Sequence, residues 1–190
     1  MVKILFDPGH SLKKEGALSV FGIGEHELNL IQARAAYKAL KQAGFELTIY
    51  DPANDDLLAI GKEAKLYDAF ISIHLNASSN KEANYVTCCL HEVGAKTASK
   101  SLAIKILCEL VKELQIPAYK GPLGPGMMYL PLKVLSLAEK ACKGPCVLTE
   151  AFFMSSSTWK SKEELISAAE RAGVSIAKAV IGYFANAKRN

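Results

Sequence analysis

Two histidines and a glutamate each close an apolar run in this 190-residue sequence. They read Ile4-Leu5-Phe6-Asp7-Pro8-Gly9-His10, then Ile71-Ser72-Ile73-His74, then Val147-Leu148-Thr149-Glu150. A further polar cluster, Gly24-Glu25-His26-Glu27, stands just ahead of a helix-like segment. Two imidazoles and a carboxylate are a common ligand set for catalytic zinc, with the fourth position left for water. Another carboxylate then serves as general base on that water. Taken singly, each histidine has a plainer reading, as a strand-ending residue bonded to a loop. The chain has only four histidines, and two of them fall at positions of this kind.

The elements that must position these residues follow from the apolar pattern, which switches between strand-like and helix-like spacing. Residues 2–6 read as a buried strand, 45–50 as a second ended by Asp51-Pro52, 69–74 as a third and 85–90 as a fourth. Residues 28–43 carry Leu28, Ile31, Ala35, Leu40 and Ala43 at helical spacing, and Gly44 stands where that helix should stop. Residues 55–66 read as a helix weakened by Gly61, and 98–114 as an amphipathic helix. Residues 162–187 read as a long terminal helix in which Gly173 marks a kink or a close contact. The Gly- and Pro-rich segment 121–126 reads as a loop, 133–135 as a short strand and 145–150 as the last strand.

There are no internal repeats or low-complexity linkers, and the length suits one domain, 1–190, with a full core. Alternating strands and helices predict an α/β fold: a single domain with a largely parallel twisted sheet flanked by helices on both faces. In such folds ligands bind beyond the carboxyl ends of the strands. Parallel strands would bring His10, His74 and Glu150 to one rim, within reach of the Glu25–Glu27 cluster.

Four segments together resemble a known family. They are Asp7-Pro8-Gly9-His10, Glu25-His26-Glu27-Leu28-Asn29-Leu30, Ile71-Ser72-Ile73-His74-Leu75-Asn76-Ala77 and Pro145-Cys146-Val147-Leu148-Thr149-Glu150-Ala151-Phe152-Phe153. Their order and separation look like the motifs of the zinc-dependent N-acetylmuramoyl-L-alanine amidases, bacterial autolysins and phage endolysins. The resemblance runs from residue 2 to beyond Phe153, essentially the whole catalytic domain of that family. It implies zinc as cofactor, with His10, Glu25 and His74 as its ligands and Glu150 as the catalytic carboxylate. It also implies hydrolysis of the amide between the lactyl group of muramic acid and L-alanine in peptidoglycan. A metal-bound water is then the nucleophile and Glu150 its general base.

Glu27 competes with Glu25 for the ligand role, and its plainer reading is a first-turn acid favoured by the helix dipole. His26 has the donor chemistry but reads as a solvent-exposed loop histidine. His91 matches no ligand of the family and reads as structural or surface. Cys146 lies near the site, inside a strand, and reads as packing. Asn76 and Ser78 read as caps before substrate contacts. Ser11-Leu12-Lys13-Lys14 and Ile49-Tyr50-Asp51 depart from the family, which often has glycines after the first histidine and Thr-Arg after the second strand. Lys120-Gly121 and the loop through Met128-Tyr129 either border the substrate groove or form plain surface.

Composition sets the outer limits. A net charge of +4 without runs of like sign gives no basic face for nucleic acid. Five cysteines, odd in number, with a vicinal pair and no Cys-x-x-Cys spacing, argue against a disulfide scaffold or a zinc knuckle. The first apolar run stops at Asp7, too short for a secretory signal, and no stretch nears the ~20 apolar residues of a membrane span. The expected setting is therefore a phage or prophage endolysin, or an autolysin, made in the cytoplasm and acting at the wall or periplasm after release, with no separate wall-binding domain. Three other readings stand beside it: a zinc peptidase, for which the His-Glu-x-x-His helix is missing, a non-catalytic wall-binding module, and an unrelated α/β domain with structural histidines.

Overall fold

A computed structural model describes residues 1–50, 57–121 and 124–187. The strands are β1 (Lys3–Pro8), β2 (Glu46–Ile49), β3 (Ala69–Asn76), β4 (Thr87–His91), β5 (Lys120–Gly121), β6 (Gly124–Pro125), β7 (Met127–Leu130) and β8 (Cys146–Phe153). Six of them form one sheet in the order β2-β1-β3-β8-β4-β7, and β5 pairs with β6 apart from it. β1 runs parallel to β2 and β3, and β3 parallel to β8, so the expected common rim exists. β4 turns against β8 and carries β7 parallel to itself at the edge.

Side-chain alternation splits the sheet into two faces. Ile4, Phe6, Ile71, Ile73 and Val147 face one core, while Leu5, Phe70, Cys146 and Leu148 face the other. The first core is covered by α1 (Glu25–Gln42), α3 (Thr97–Leu114) and α5 (Lys162–Ala187). The second is covered by α2 (Leu57–Ala64) and α4 (Lys133–Ala141). Full burial of a Leu, Ile or Phe side chain contributes ~1.5–3 kcal/mol, so the two faces together dominate stability. Helices on both sides of a mostly parallel sheet are the architecture the residue pattern predicts.

α1 matters most here because it starts at Glu25. Leu28, Ala33, Ala36 and Leu40 bury its inner face. Its end is a Schellman motif: Gly44 takes φ 83°, its N–H donates to Lys41 O, and the Phe45 N–H donates to Leu40 O. Gly44 stops the helix as its position in the sequence predicts. α5 packs against α1, and Gly173 is a close contact with it. A Cβ there would lie 2.1 Å from the Gln32 carbonyl oxygen.

Several expectations need correction. Residues 133–135 begin a helix, not a strand, because Val134, Leu135 and Ala138 bury at three- and four-residue spacing. Met127–Leu130 is an edge strand where a loop was expected, and Lys120–Gly121 and Gly124–Pro125 pair within the supposed loop. The fourth strand begins at Thr87, not 85. The last strand continues past Glu150 to Phe153, with a register shift opposite His74 and Asn76. Asp51-Pro52 and the expected helix start at 55 lie outside the described residues; the helix is seen from Leu57. No helix among the described residues is long and apolar enough to cross a membrane.

Candidate active site

The first histidine is delivered by the turn that ends β1. Ile4 to Pro8 are buried against both cores, and the Gly9 N–H continues the ladder to Ile73 O at 2.9 Å. Gly9 is required there. A Cβ on it would fall 2.0 Å from the His74 imidazole. His10 then adopts φ 67°, a left-handed conformation uncommon for a residue with a Cβ, and projects its Nε2 toward α1.

Glu25 arrives from the other side. As the first residue of α1 it is only 5% exposed, whereas Glu27 faces solvent. Its Oε2 lies 3.1 Å from His10 Nε2, and its Oε1 accepts from His74 Nδ1 at 3.0 Å. The backbone N–H groups of Leu75 and Ala17 also donate to this carboxylate, at 3.3 and 3.4 Å. Gly16, with φ 79°, leaves room for the pair: a Cβ would come 2.7 Å from both Glu25 Oε2 and the His10 ring. The His10 and His74 rings stand edge to face, 5.1 Å between centroids. One donor atom from each of His10, Glu25 and His74 lies within 4.8 Å of the others.

Glu150 completes the group. On β8 it faces His74 of β3 on one side and Thr87 of β4 on the other. All three strands place these side chains on the face shared with Leu148 and Phe70, at its open rim. The Glu150 Oε2 atom is fully buried and has no hydrogen-bond partner among the described residues. A cavity of about 200 Å³ lies beside the group, bordered by Asp7, His10, His74, Leu57, Ile60 and Lys133.

The electrostatics follow from that crowding. Burial pushes the Glu150 carboxyl up to about 7; the Glu25 charge adds to this while His74 and His10 oppose it. For His74, burial favours the neutral ring, but the hydrogen bond to Glu25 and the charges of Glu150, Glu25 and Asp7 raise it to about 9. Burial favours neutral Glu25, yet its bonds to His10 and His74 outweigh that and hold it well below the usual carboxylate range. Carboxylates whose pKa values are driven apart in one site are a common arrangement where one must hold charge and another must move protons.

The structure brings together His10, Glu25, His74 and Glu150 and leaves Glu27 outside. His26 departs from expectation. It is 1% exposed, inside α1, with Nδ1 3.0 Å from Gly9 O, because α1 begins before it and turns it inward. His91 sits at the end of β4, bonded through Nδ1 to Val93 O, away from the group. Cys146 is buried, and the adjacent Cys142 thiol together with burial pushes its own thiol up, which suits packing. Asn76 ends β3, and Ser78 Oγ accepts from the Asn80 N–H, so Ser78 caps a turn with no helix behind it. Met128 and Tyr129 belong to the edge strand β7, two strands from Glu150.

Residue-type reasoning missed Asp7, which is 5% exposed and accepts from Ser72 Oγ at 2.7 Å. An acid inside an otherwise apolar strand was the available signal. Asn29 was quoted only within a motif, though it stands one helical turn after Glu25.

Comparison with known proteins identifies the family and the fold. A sequence-family model described as N-acetylmuramoyl-L-alanine amidase matches residues 4–181. No curated protein matches the chain. Among solved structures, the catalytic domain of CwlV, an N-acetylmuramoyl-L-alanine amidase from Bacillus (Paenibacillus) polymyxa var. colistinus, is 22% identical with a TM-score of 0.75, covering 97% of this chain and 98% of that one. The CwlD amidase from Clostridioides difficile, solved in complex with the GerS lipoprotein, is 20% identical with a TM-score of 0.78, covering 97% and 99%. The catalytic domain of the CD27L endolysin targeting Clostridia difficile is 18% identical with a TM-score of 0.72, covering 96% and 98%. At these identities the structural likenesses establish the fold.

Proposed function

The chain belongs to the N-acetylmuramoyl-L-alanine amidase family, and from that premise we propose a zinc hydrolase with His10, Glu25 and His74 as metal ligands and Glu150 as the proton-transferring base. Its substrate is peptidoglycan, cut at the amide between the muramic acid lactyl group and L-alanine. The single observation that supports these roles is the convergence of two imidazoles and a carboxylate beside a buried Glu150 oxygen that has no hydrogen-bond partner among the described residues.

The donor chemistry fits zinc: two nitrogen ligands and one oxygen ligand, from three separate segments, with His10 and His74 bordering a cavity. When bound, zinc supplies a Lewis acid that polarises the scissile carbonyl and acidifies water. The chain's residues do the rest. Glu150, with a carboxyl near pH 7, accepts the proton of the attacking water as the new carbon–oxygen bond forms. It then passes that proton to the L-alanine nitrogen as the carbon–nitrogen bond breaks. The products are a muramic acid carboxylate and a stem peptide with a free amino terminus. The cavity beside His10 and His74 gives the acyl side of the amide a place to enter.

Residues 1–190 are proposed as one catalytic domain. An endolysin catalytic domain and bacterial amidases share the fold, and the proposed setting is wall degradation by an endolysin or autolysin. The test is zinc content measured together with hydrolysis of purified wall, for wild type and Glu150→Ala. About one zinc per chain, release of new L-alanine amino groups, and a variant that keeps zinc but loses hydrolysis support the assignment. Hydrolysis that frees amines of other residues instead points to a peptidase. Wild type that neither binds zinc nor cuts wall in its presence overturns the assignment.

A further inference from the structure

The carbonyl oxygen of Gly9, in the peptide bond that leads into His10, receives two side-chain donors from α1. His26 Nδ1 lies 3.0 Å from it and Asn29 Nδ2 lies 3.3 Å from it. A carbonyl oxygen can only accept, so the His26 proton on this bond sits on Nδ1. The Gly9 N–H is fixed as well, donating to Ile73 O at 2.9 Å. The residue is thus held from β3 on one side and from α1 on the other.

His10 follows with φ 67°. A left-handed backbone is unfavourable for a residue with a Cβ, so surrounding contacts must hold it. His26 and Asn29 are 1% and 0% exposed, on the helix face that also buries Leu28, Ala33 and Ala36. Polar groups so placed are unfavourable unless bonded, and the Gly9 carbonyl is a partner of both. Asn29 reaches further. Its Nδ2 lies 3.5 Å from Glu25 Oε1, one turn earlier, while Gln32 Nε2 lies 3.5 Å from its Oδ1 and orients the amide.

We infer that His26 and Asn29 are positioning residues of the metal centre, clamping the Gly9 carbonyl so that His10 and Glu25 are presented together. The inference rests on the zinc ligand set proposed above. Partners that orient ligands without touching metal typically contribute ~10–100-fold in metal affinity. Here the clamp acts on one ligand through its backbone and on another through its carboxylate.

The test is zinc affinity by chelator competition, with kcat and KM on purified wall, for wild type, His26→Leu, His26→Asn and Asn29→Leu. His26→Leu and Asn29→Leu are expected to bind zinc ~10-fold or more weakly, with kcat reduced and KM near wild type. His26→Asn, whose amide replaces the Nδ1 donor, is expected to recover most of the affinity. If His26→Leu does not fold, His26→Asn against Asn29→Leu carries the same comparison. Folded His26→Leu and Asn29→Leu with zinc affinity and kcat like wild type overturn the clamp while leaving the ligand set intact, as does His26→Asn no better than His26→Leu. Wild type without zinc affinity removes the ligand set, and the clamp with it.

Discussion

His74 and Glu150 are register partners across β3 and β8, so the proposed ligand and the proposed base are held side by side by one parallel backbone ladder. Their separation does not depend on any loop. The carboxylate Glu25, in contrast, reaches the group from α1, whose position depends on helix packing against α5.

Glu150→Gln should keep zinc and lose hydrolysis by ~10²–10⁴-fold, the usual contribution of a positioned general base. Because base catalysis needs the ionised carboxylate, wild-type kcat should rise with pH through the Glu150 titration, which burial raises to about 7 in the metal-free protein and the charge of bound zinc draws lower. Single-turnover rates from pH 4 to 8.5 check this; a flat profile over that range would argue against Glu150 as the base.

The metal-free protein should be most stable near pH 5–6. The His74 pKa is raised from 6.5 to about 9, so its stabilising contribution is complete below 6.5 and is lost as pH climbs through 9. The Glu150 pKa is raised from 4.5 to about 7, so a penalty develops between those values and is full above 7. Glu25, with its pKa lowered, stabilises above 4.5 and loses that contribution as pH falls toward its folded value. Melting temperature against pH in the presence of chelator measures the sum, and Glu150→Gln should flatten the portion between 4.5 and 7. Zinc affinity should increase with pH across the same alkaline range, since the ion competes with the His74 proton.

Gly9→Ala should damage the site more than the fold. The new methyl would lie 2.0 Å from the His74 ring, which must rotate away from Glu25. Zinc affinity is expected to fall ~10-fold or more, with stability reduced by ~1–3 kcal/mol. Affinity equal to wild type would show that the ring is not needed in its present place.

Glu25→Gln and Glu27→Gln separate two neighbouring acids. Zinc content should collapse in the first and remain at wild-type level in the second, which faces solvent. Removing the Glu27 charge should change stability by no more than ~0.3–1 kcal/mol through the helix dipole. Loss of zinc in Glu27→Gln alone would exchange the two roles.

Gly173→Ala should lower stability by ~1–3 kcal/mol through overpacking, because its Cβ would meet the Gln32 carbonyl at 2.1 Å on α1. Denaturant unfolding gives the value. No loss of stability would mean that the two helices separate freely, against the close approach at Gly173.

Much of this was legible before any coordinate. The runs that end near His10, His74 and Glu150 are apolar because both faces of their strands are covered, and a continuous apolar run bounded by polar residues carries that information in one dimension. Gly44 marked the end of α1 because only a left-handed residue closes that turn cheaply. The same periodicity misread 133–135 as a strand, since three residues are too few to distinguish a period of two from one of 3.6.

The sequence by itself determined which side chains can bind metal or move protons and which segments bring them to a rim. Tertiary structure decided which of them meet. Residue types alone left Glu25 and Glu27 both open, and it was the resemblance that favoured Glu25. Two residues along a helix turn a side chain about 200°, and only the packing of α1 on β1, β3 and α5 sets which acid faces inward. The same helix phase takes His26 from the expected surface into the core, onto the Gly9 carbonyl. Strand direction was also undecided: β4 runs against β8, although its residues read like those of its parallel neighbours. Periodicity records how deeply a residue is buried within its own element. The neighbour that fills the space, and the direction from which it comes, belong to contacts between segments far apart in the chain.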